Sequence, residues 1–83
     1  MMMPTVHMNG TGKETLLNDH VDAMAAIRGA MEALRKAAPN ARDYYVQGDD
    51  AYTKAREEYS ARQQKLADVL DELEVIASHL ADS

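Results

Sequence analysis

The chain has 83 residues, a formal net charge of −5, and no cysteine, phenylalanine or tryptophan. Its length predicts one small domain, which can bury little apolar surface by itself and therefore needs a metal, very regular packing or self-association. The lack of cysteine excludes disulfides and thiolate metal sites. No stretch approaches the roughly 20 apolar residues that span a bilayer, and the N-terminus lacks the features of a secretory signal. We therefore expect a soluble, cytoplasmic protein.

The negative charge is concentrated at one end of the sequence. Residues 40–65 hold equal numbers of basic and acidic side chains, whereas residues 66–83 hold five acidic side chains and no Lys or Arg. Proteins that bind long nucleic acid or an anionic membrane surface need a basic surface. The charge distribution therefore excludes both of these partner classes and leaves room only for a local site that holds a single nucleotide or a short oligonucleotide.

The first helix is predicted to cover residues 12–38, after a leader of residues 1–10 that we expect to be disordered. Thr11 and Glu14 have the spacing of a capping box, in which the threonine is the N-cap. Pro39 ends the helix, because the residue before a proline is disfavoured in helical geometry. Between these signals the apolar residues follow a heptad pattern, with the a-type positions Leu17, Met24, Met31 and Ala38.

A loop is predicted at residues 39–49 and a second helix at residues 50–81. Gly48 is suited to a turn, and Asp49 or Asp50 can cap the helix that follows. The second helix has aromatic residues at the start of its seam and aliphatic residues later, with the a-type positions Tyr52, Tyr59, Leu66, Leu73 and Leu80.

Two long helices joined by a short loop predict an all-α fold, a two-helix antiparallel hairpin. A hairpin buries each apolar seam on one side only, and both seams here are wide. We therefore expect a second hairpin to cover them in a homodimeric four-helix bundle, with a higher oligomer as the alternative.

All four tyrosines lie between residues 44 and 59, and arginines are interleaved with them. Aromatic rings beside guanidinium groups stack on flat anionic ligands or anchor in a pocket of a partner protein. A purely structural interpretation is that Tyr52 and Tyr59 fill the wide end of the bundle and that the loop residues only pack the turn. The candidate ligand- or partner-binding residues are Arg42, Tyr44, Tyr45, Gln47, Tyr52, Arg56, Tyr59 and Arg62.

The sequence predicts no metal site, no cofactor and no enzymatic activity. The three histidines are far apart in a hairpin, and His20 occupies a seam position where we expect it to be partly buried and bonded to Asp68 or to its symmetry mate. No serine has a histidine and a carboxylate placed to activate it. We therefore name no catalytic residue.

The segment Ala38–Gly48, together with the apolar pattern of the helix after it, resembles small uncharacterised helical-hairpin proteins of tailed phages and prophages. The resemblance covers roughly residues 9–82 and implies a phage origin, and with it a location in the host cytoplasm, rather than a defined activity. Small acidic phage proteins often counter host defence, either by binding an immune protein or by sequestering a nucleotide signal.

The sequence is compatible with two binding functions. A structural oligomer without a ligand is the third alternative. The first is a protein-binding module that docks on a host protein through its Tyr/Arg loop end or its acidic face. The second is a protein that sequesters a small nucleotide-like ligand in a Tyr/Arg pocket. They differ in the expected shape of the site, because a ligand pocket buries the rings in a concave surface and a docking module displays them on a convex tip.

Overall fold

A computed structural model describes residues 1–83. It contains two helices, α1 (Lys13–Lys36) and α2 (Ala51–Ala81), which pack against each other as an antiparallel hairpin, and it contains no strand. The segment between the helices forms two short 3-10 turns, Ala41–Asp43 and Tyr45–Gln47. The predicted all-α hairpin is therefore confirmed. Neither helix is long and apolar enough to cross a membrane.

The ends of α1 differ from the predicted capping. Gly12 is the N-cap, no side chain caps the helix, and the first backbone bond runs from the Leu16 amide to the Gly12 carbonyl. The capping box is therefore wrong, because Thr11 lies one residue before the N-cap. The helix ends at Lys36, three residues before Pro39, with Ala37 as the C-cap. Arg35 and Lys36 in the last turn complement the helix dipole.

α2 begins after Asp50, which is its N-cap but makes no side-chain capping bond. Its carboxylate instead lies 3.6 Å from the Lys54 ammonium, one turn into the helix. α2 ends at Ala81, where the Asp82 amide donates to the carbonyls of Leu80 and Ser78. Since α2 is longer than α1, its first turns project beyond the end of α1 and are covered only by the loop.

The molecule is a rod of 62 × 21 × 17 Å with a radius of gyration of 18.4 Å. A compact domain of this length has a radius of gyration of roughly 12 Å. Only Met24, Ala77 and Leu80 are buried. All three lie in the seam between the helices, with Leu80 at the open end of the hairpin. The core of a single chain is therefore a thin line of contacts.

The helical repeat of 3.6 residues assigns the side chains of each helix to one of the two long sides of the hairpin. The two sides differ in chemistry. One side, the front face, carries half-buried or exposed apolar side chains from both helices. These are Leu16, Ala23, Ile27, Leu34, Leu66, Val69, Leu73 and Ile76. The opposite side, the back face, carries mainly charged and polar side chains, namely Arg28, Glu32, Arg35, Gln63 and Glu74, besides Val21, which is 46% exposed.

Polar contacts link the two helices at the open end of the hairpin, which is the end opposite the loop. The Lys13 ammonium donates to the Ala81 carbonyl at 3.3 Å and to the Ser83 carbonyl at 2.8 Å. The leader contains no helix, and its Pro4 carbonyl lies 3.1 Å from His79 Nε2. These contacts connect the start of α1 and the leader to the end of α2.

The predicted bond between His20 and Asp68 is wrong. His20 is half-buried, and its Nδ1 lies 2.7 Å from the Leu16 carbonyl one turn earlier in α1. Because a carbonyl only accepts, Nδ1 carries the proton. Asp68 accepts from Gln64 on the outer surface of α2. The Leu16 carbonyl thus provides a partner for Nδ1 within α1 itself.

Candidate functional site

The loop end of the hairpin, which we call the tip (residues 42–50), has defined backbone geometry. The Asn40 side chain caps the first 3-10 turn by accepting from the Arg42 amide at 3.1 Å. The Gln47 amide donates to the Tyr44 carbonyl at 2.9 Å and closes the second turn. Gly48 then adopts φ 123° and ψ 167°, a backbone conformation that is almost restricted to glycine. Consecutive turns thus fix the direction of each tip side chain.

The two adjacent tyrosines point to different environments. Tyr45 is 75% exposed and Val46 is 74% exposed, so both are displayed on the convex end of the rod. Tyr44 is half-buried and lines a cleft between the tip and the helices. The tip therefore shows both of the shapes that distinguish the two functional hypotheses.

The cleft has a volume of about 490 Å³ and opens on the front-face side of the loop end. Its apolar lining comes from the end of α1, Pro39 and the small residues of α2, and its polar lining comes from the tip and α2. The lining residues are Leu34, Ala37, Pro39, Tyr44, Gln47, Ala51, Lys54, Ala55, Glu58, Tyr59 and Arg62.

A buried amide orients the central ring of the cleft. Gln63 Nε2 donates to the Met31 carbonyl of α1 at 2.9 Å and to the Tyr59 hydroxyl at 3.0 Å. Since the Met31 carbonyl can only accept, the amide nitrogen must face it, and this fixes the amide orientation. The Tyr59 oxygen accepts in this network, so its own proton remains free to be donated to a group in the cleft. Gln63 Oε1 is buried and has no partner.

The cations in the cleft are held by weak ion pairs. Arg62 lies 3.9 Å from Glu58, and Lys54 lies 3.6 Å from Asp50. All four side chains are more than half exposed, so each pair contributes little to stability. Either cation can leave its carboxylate for a stronger anionic partner.

The structure brings four of the eight predicted site residues to the cleft, namely Tyr44, Gln47, Tyr59 and Arg62. Two of the predicted arginines, Arg56 and Arg62, do not lie on the same surface. They are six residues apart, which places them roughly 120° apart around α2. Arg56 instead lies 5.5 Å from the centre of the Tyr52 ring, outside the cleft. Arg42 and Tyr45 are exposed on the tip.

Lys54 and Glu58 line the cleft and were missed by the sequence analysis. Together with Arg62 they form a ladder with a spacing of four residues, which places all three on neighbouring turns of one helix face. That spacing is visible in the sequence. It shows that Lys54, Glu58 and Arg62 share a face but not that this face borders the tip, because the tip geometry depends on the 3-10 turns.

The back face has a shallower groove. Most of the charged side chains that line it are paired with one another within the chain. Arg28 of α1 pairs with Glu74 of α2 at 3.2 Å, and Arg35 pairs with Glu32 at 2.6 Å. The hydrogen bond and the negative charge of Glu32 raise the pKa of Arg35 above its ordinary value. No group of three or more His, Asp or Glu side chains is placed to share a metal ion.

No family model, no curated protein and no solved structure matches this chain. The candidate site is therefore defined by its geometry and chemistry, namely a tip of two 3-10 turns that displays an apolar pair beside a cleft with two cations, one carboxylate and an oriented tyrosine hydroxyl.

Proposed function

We propose that the protein is a non-enzymatic binding protein that docks on a partner protein through its tip. The observation that carries this proposal is the exposure of Tyr45 and Val46, which are 75% and 74% exposed although they are adjacent and held in a 3-10 turn. A rigid, exposed aromatic ring beside an apolar side chain loses little conformational entropy on binding. Such residues are typical anchors of protein interfaces.

The charges of the tip define the chemistry of the partner. Asp43, Asp49 and Asp50 flank the apolar pair in the sequence, and Arg42 is the only basic residue of the tip. All four are exposed. A complementary surface has an apolar pocket for Tyr45 and a basic rim around it.

The class of partner follows from the resemblance to small phage and prophage proteins. It implies a host protein, in particular an immune protein whose surface the tip would block. An anti-defence role thus belongs to the proposal as the biological setting of the docking activity, and its support is the resemblance alone.

Docking through the tip can be tested with matched alanine variants. The protein is immobilised, the protein that it captures from host extract is purified, and the dissociation constant is measured for wild type, Tyr45→Ala, Val46→Ala and Val75→Ala. Val75 is an exposed valine on the outer surface of α2, 51% exposed, and serves as the control. We expect each tip variant to bind about tenfold or more weakly, Val75→Ala to bind as wild type, and added salt to weaken binding. Equal binding by all four proteins would refute docking through the tip.

We further propose that the hairpin associates with a second copy into a four-helix bundle. The chain exposes 6148 Å², about a quarter more than the roughly 4,900 Å² of a compact monomer of its mass. The excess exceeds the roughly 800 Å² that each partner buries in a standard interface. Since dimer unfolding depends on concentration, we expect the midpoint of thermal unfolding to rise with protein concentration. A midpoint that stays constant over a hundredfold range of concentration argues for a monomer.

The cleft favours a second candidate function, the binding of a small anionic ligand with a flat ring. Tyr44 and Tyr59 supply ring surfaces, and Arg62, Lys54 and the Tyr59 hydroxyl supply donors. A panel of mono-, di- and cyclic nucleotides at matched salt tests it by thermal unfolding. We expect a ligand to raise the midpoint by several degrees in wild type and in Arg42→Ala, whose guanidinium lies outside the cleft, but not in Arg62→Ala. No shift with any nucleotide, or an equal shift in Arg62→Ala, would remove this candidate.

A further inference from the structure

We propose that the two copies lie head to tail, so that the tip of each copy lies toward the open end of the other. This inference rests on the proposed four-helix bundle and adds the orientation of its two hairpins. The arrangement has a two-fold axis across the middle of the rod, so α2 of one copy crosses α2 of the other in the antiparallel direction.

The middle of the front face is apolar and open. Val69 lies near the centre of α2, is 45% exposed, and has Leu66 and Leu73 on neighbouring turns of the same side. Ile27 lies beside this segment on α1 and is half-buried. These side chains can become buried when the front faces of two hairpins meet, and their central position makes this segment the natural crossing point.

Charges on the edge of the front face distinguish the possible orientations. Lys65 precedes Val69 by four residues and Glu72 follows it by three, so both lie on the same edge of α2. Neither takes part in an ion pair of the hairpin. In a head-to-tail pair that crosses at Val69, Lys65 of one copy comes alongside Glu72 of the second copy. Two equivalent ion pairs would therefore flank the apolar centre.

The alternative places both tips at the same end and brings the acidic ends of the two copies together. Residues 66–83 carry five acidic and no basic side chains, whereas residues 40–65 carry five of each. The same-end arrangement gathers both acidic segments at one end of the bundle, and each of them then lies against the part of the other copy's α1 that carries Asp19. The head-to-tail arrangement instead sets each acidic segment beside a neutral one. Like charges gathered at one end of a bundle repel one another, so the charge distribution favours the head-to-tail pair.

A head-to-tail dimer displays its two tips in opposite directions. Together with docking through the tip, this geometry makes the dimer a bivalent binder that can hold two partner molecules at opposite ends of a rod. The orientation itself can be measured without any partner, so the two proposals can fail separately.

Single-cysteine variants test the orientation, because the natural chain contains no cysteine. Val69→Cys, Ile27→Cys and Val75→Cys are prepared separately and oxidised under mild conditions, alone and in pairwise mixtures. Disulfides form only where the two Cα atoms approach within about 7 Å. A head-to-tail pair brings Val69 to Val69 of the second copy, whereas a same-end pair sets α2 against α1 and brings Val69 near Ile27. Val75 faces solvent in both arrangements and is the control.

We expect Val69→Cys alone to form a covalent dimer at least tenfold faster than Val75→Cys, and the mixture with Ile27→Cys to give little of the mixed product. A dominant mixed product of Val69→Cys with Ile27→Cys would overturn the head-to-tail orientation and keep the four-helix bundle. A rate for Val69→Cys equal to that of Val75→Cys, with a monomer mass in solution, would overturn both.

A charge exchange gives an independent readout. Lys65→Glu should weaken dimerisation severalfold at low salt, and adding Glu72→Lys to it should restore the wild-type constant. Lys36→Glu makes the same charge change on an exposed position of α1 away from the front face, and it should leave dimerisation unchanged. If Glu72→Lys fails to rescue Lys65→Glu, the proposed pairing is refuted.

Discussion

The front and back faces of the hairpin are built from the same two helices but differ in whether their side chains find partners within the chain. On the back face, Arg28 reaches across to Glu74 and Arg35 pairs with Glu32 in α1. On the front face, Val69 is 45% exposed, the aliphatic side chains around it are half-buried, and neither Lys65 nor Glu72 has an ion-pair partner.

This difference shows on which side of the hairpin a single chain leaves apolar surface exposed to water. Exposed ion pairs are satisfied by water as well as by each other, so the charged side chains of the back face need no further partner. Apolar surface in contact with water lowers stability in proportion to its area. If a second copy completes the core, as we propose, the comparison places its contact on the front face and predicts where substitutions will have large and small effects.

The largest effect is expected for a charge in the centre of the front face. Val69→Asp would bury two carboxylates without partners at the crossing point of the dimer. We expect the dissociation constant to rise by at least about a hundredfold, because burial of an unpaired charge is strongly unfavourable. Analytical ultracentrifugation over a concentration series measures this change.

Val75→Asp is the matched control for that experiment. Val75 is 51% exposed and lies on the side of α2 that faces away from α1. The same substitution there should leave the dissociation constant unchanged within about twofold. Equal weakening by Val69→Asp and Val75→Asp would mean that the two sides of α2 do not differ in the way we infer.

An intermediate effect is expected at Gln63, the one back-face residue that enters the seam. In Gln63→Glu an acceptor faces the Met31 carbonyl, and we expect a loss of about 1–3 kcal/mol in the free energy of unfolding. Gln63→Leu removes the unpartnered Oε1 together with the amide nitrogen, so its stability should lie within about 1 kcal/mol of wild type. Urea denaturation compares the three proteins. A Gln63→Glu variant as stable as wild type would show that the amide does not bind the Met31 carbonyl.

The smallest effect is expected at Gly29, which lies on the outer surface of α1. A Cβ at this position meets no atom within 4 Å. Gly29→Ala should therefore raise the free energy of unfolding by about 0.5–1 kcal/mol through helix propensity without changing dimerisation. Calorimetry and ultracentrifugation of one sample measure both quantities. A loss of stability would indicate that another chain approaches this surface closely.

The sequence was sufficient to predict the two helices, because the apolar residues recur every seven positions and Pro39 interrupts them. It was not sufficient to predict how α1 begins. Thr11 and Glu14 have the spacing of a capping box, but Gly12 is the N-cap. His20 was likewise assigned a partner on the other helix, although the Leu16 carbonyl one turn away is a nearer acceptor.

The candidate site was predictable only in part, because neighbouring residues of one segment separate in space. Tyr44 and Tyr45 are adjacent in the sequence, yet one lines the cleft and the other is exposed, since a 3-10 turn begins between them. Arg56 and Arg62 separate because the helical repeat places them on different sides of α2. These positions depend on turn geometry and on the contact between the helices, neither of which follows from residue type.

The most direct test of the central inference is the mass of the wild-type protein in solution, measured by sedimentation equilibrium at micromolar concentration. The chain has a mass of 9.2 kDa. If a second copy covers the front face, the measured mass will be twice that of the chain. A single-chain mass at every concentration would contradict the account, because the apolar front face would then remain exposed to water in the functional protein.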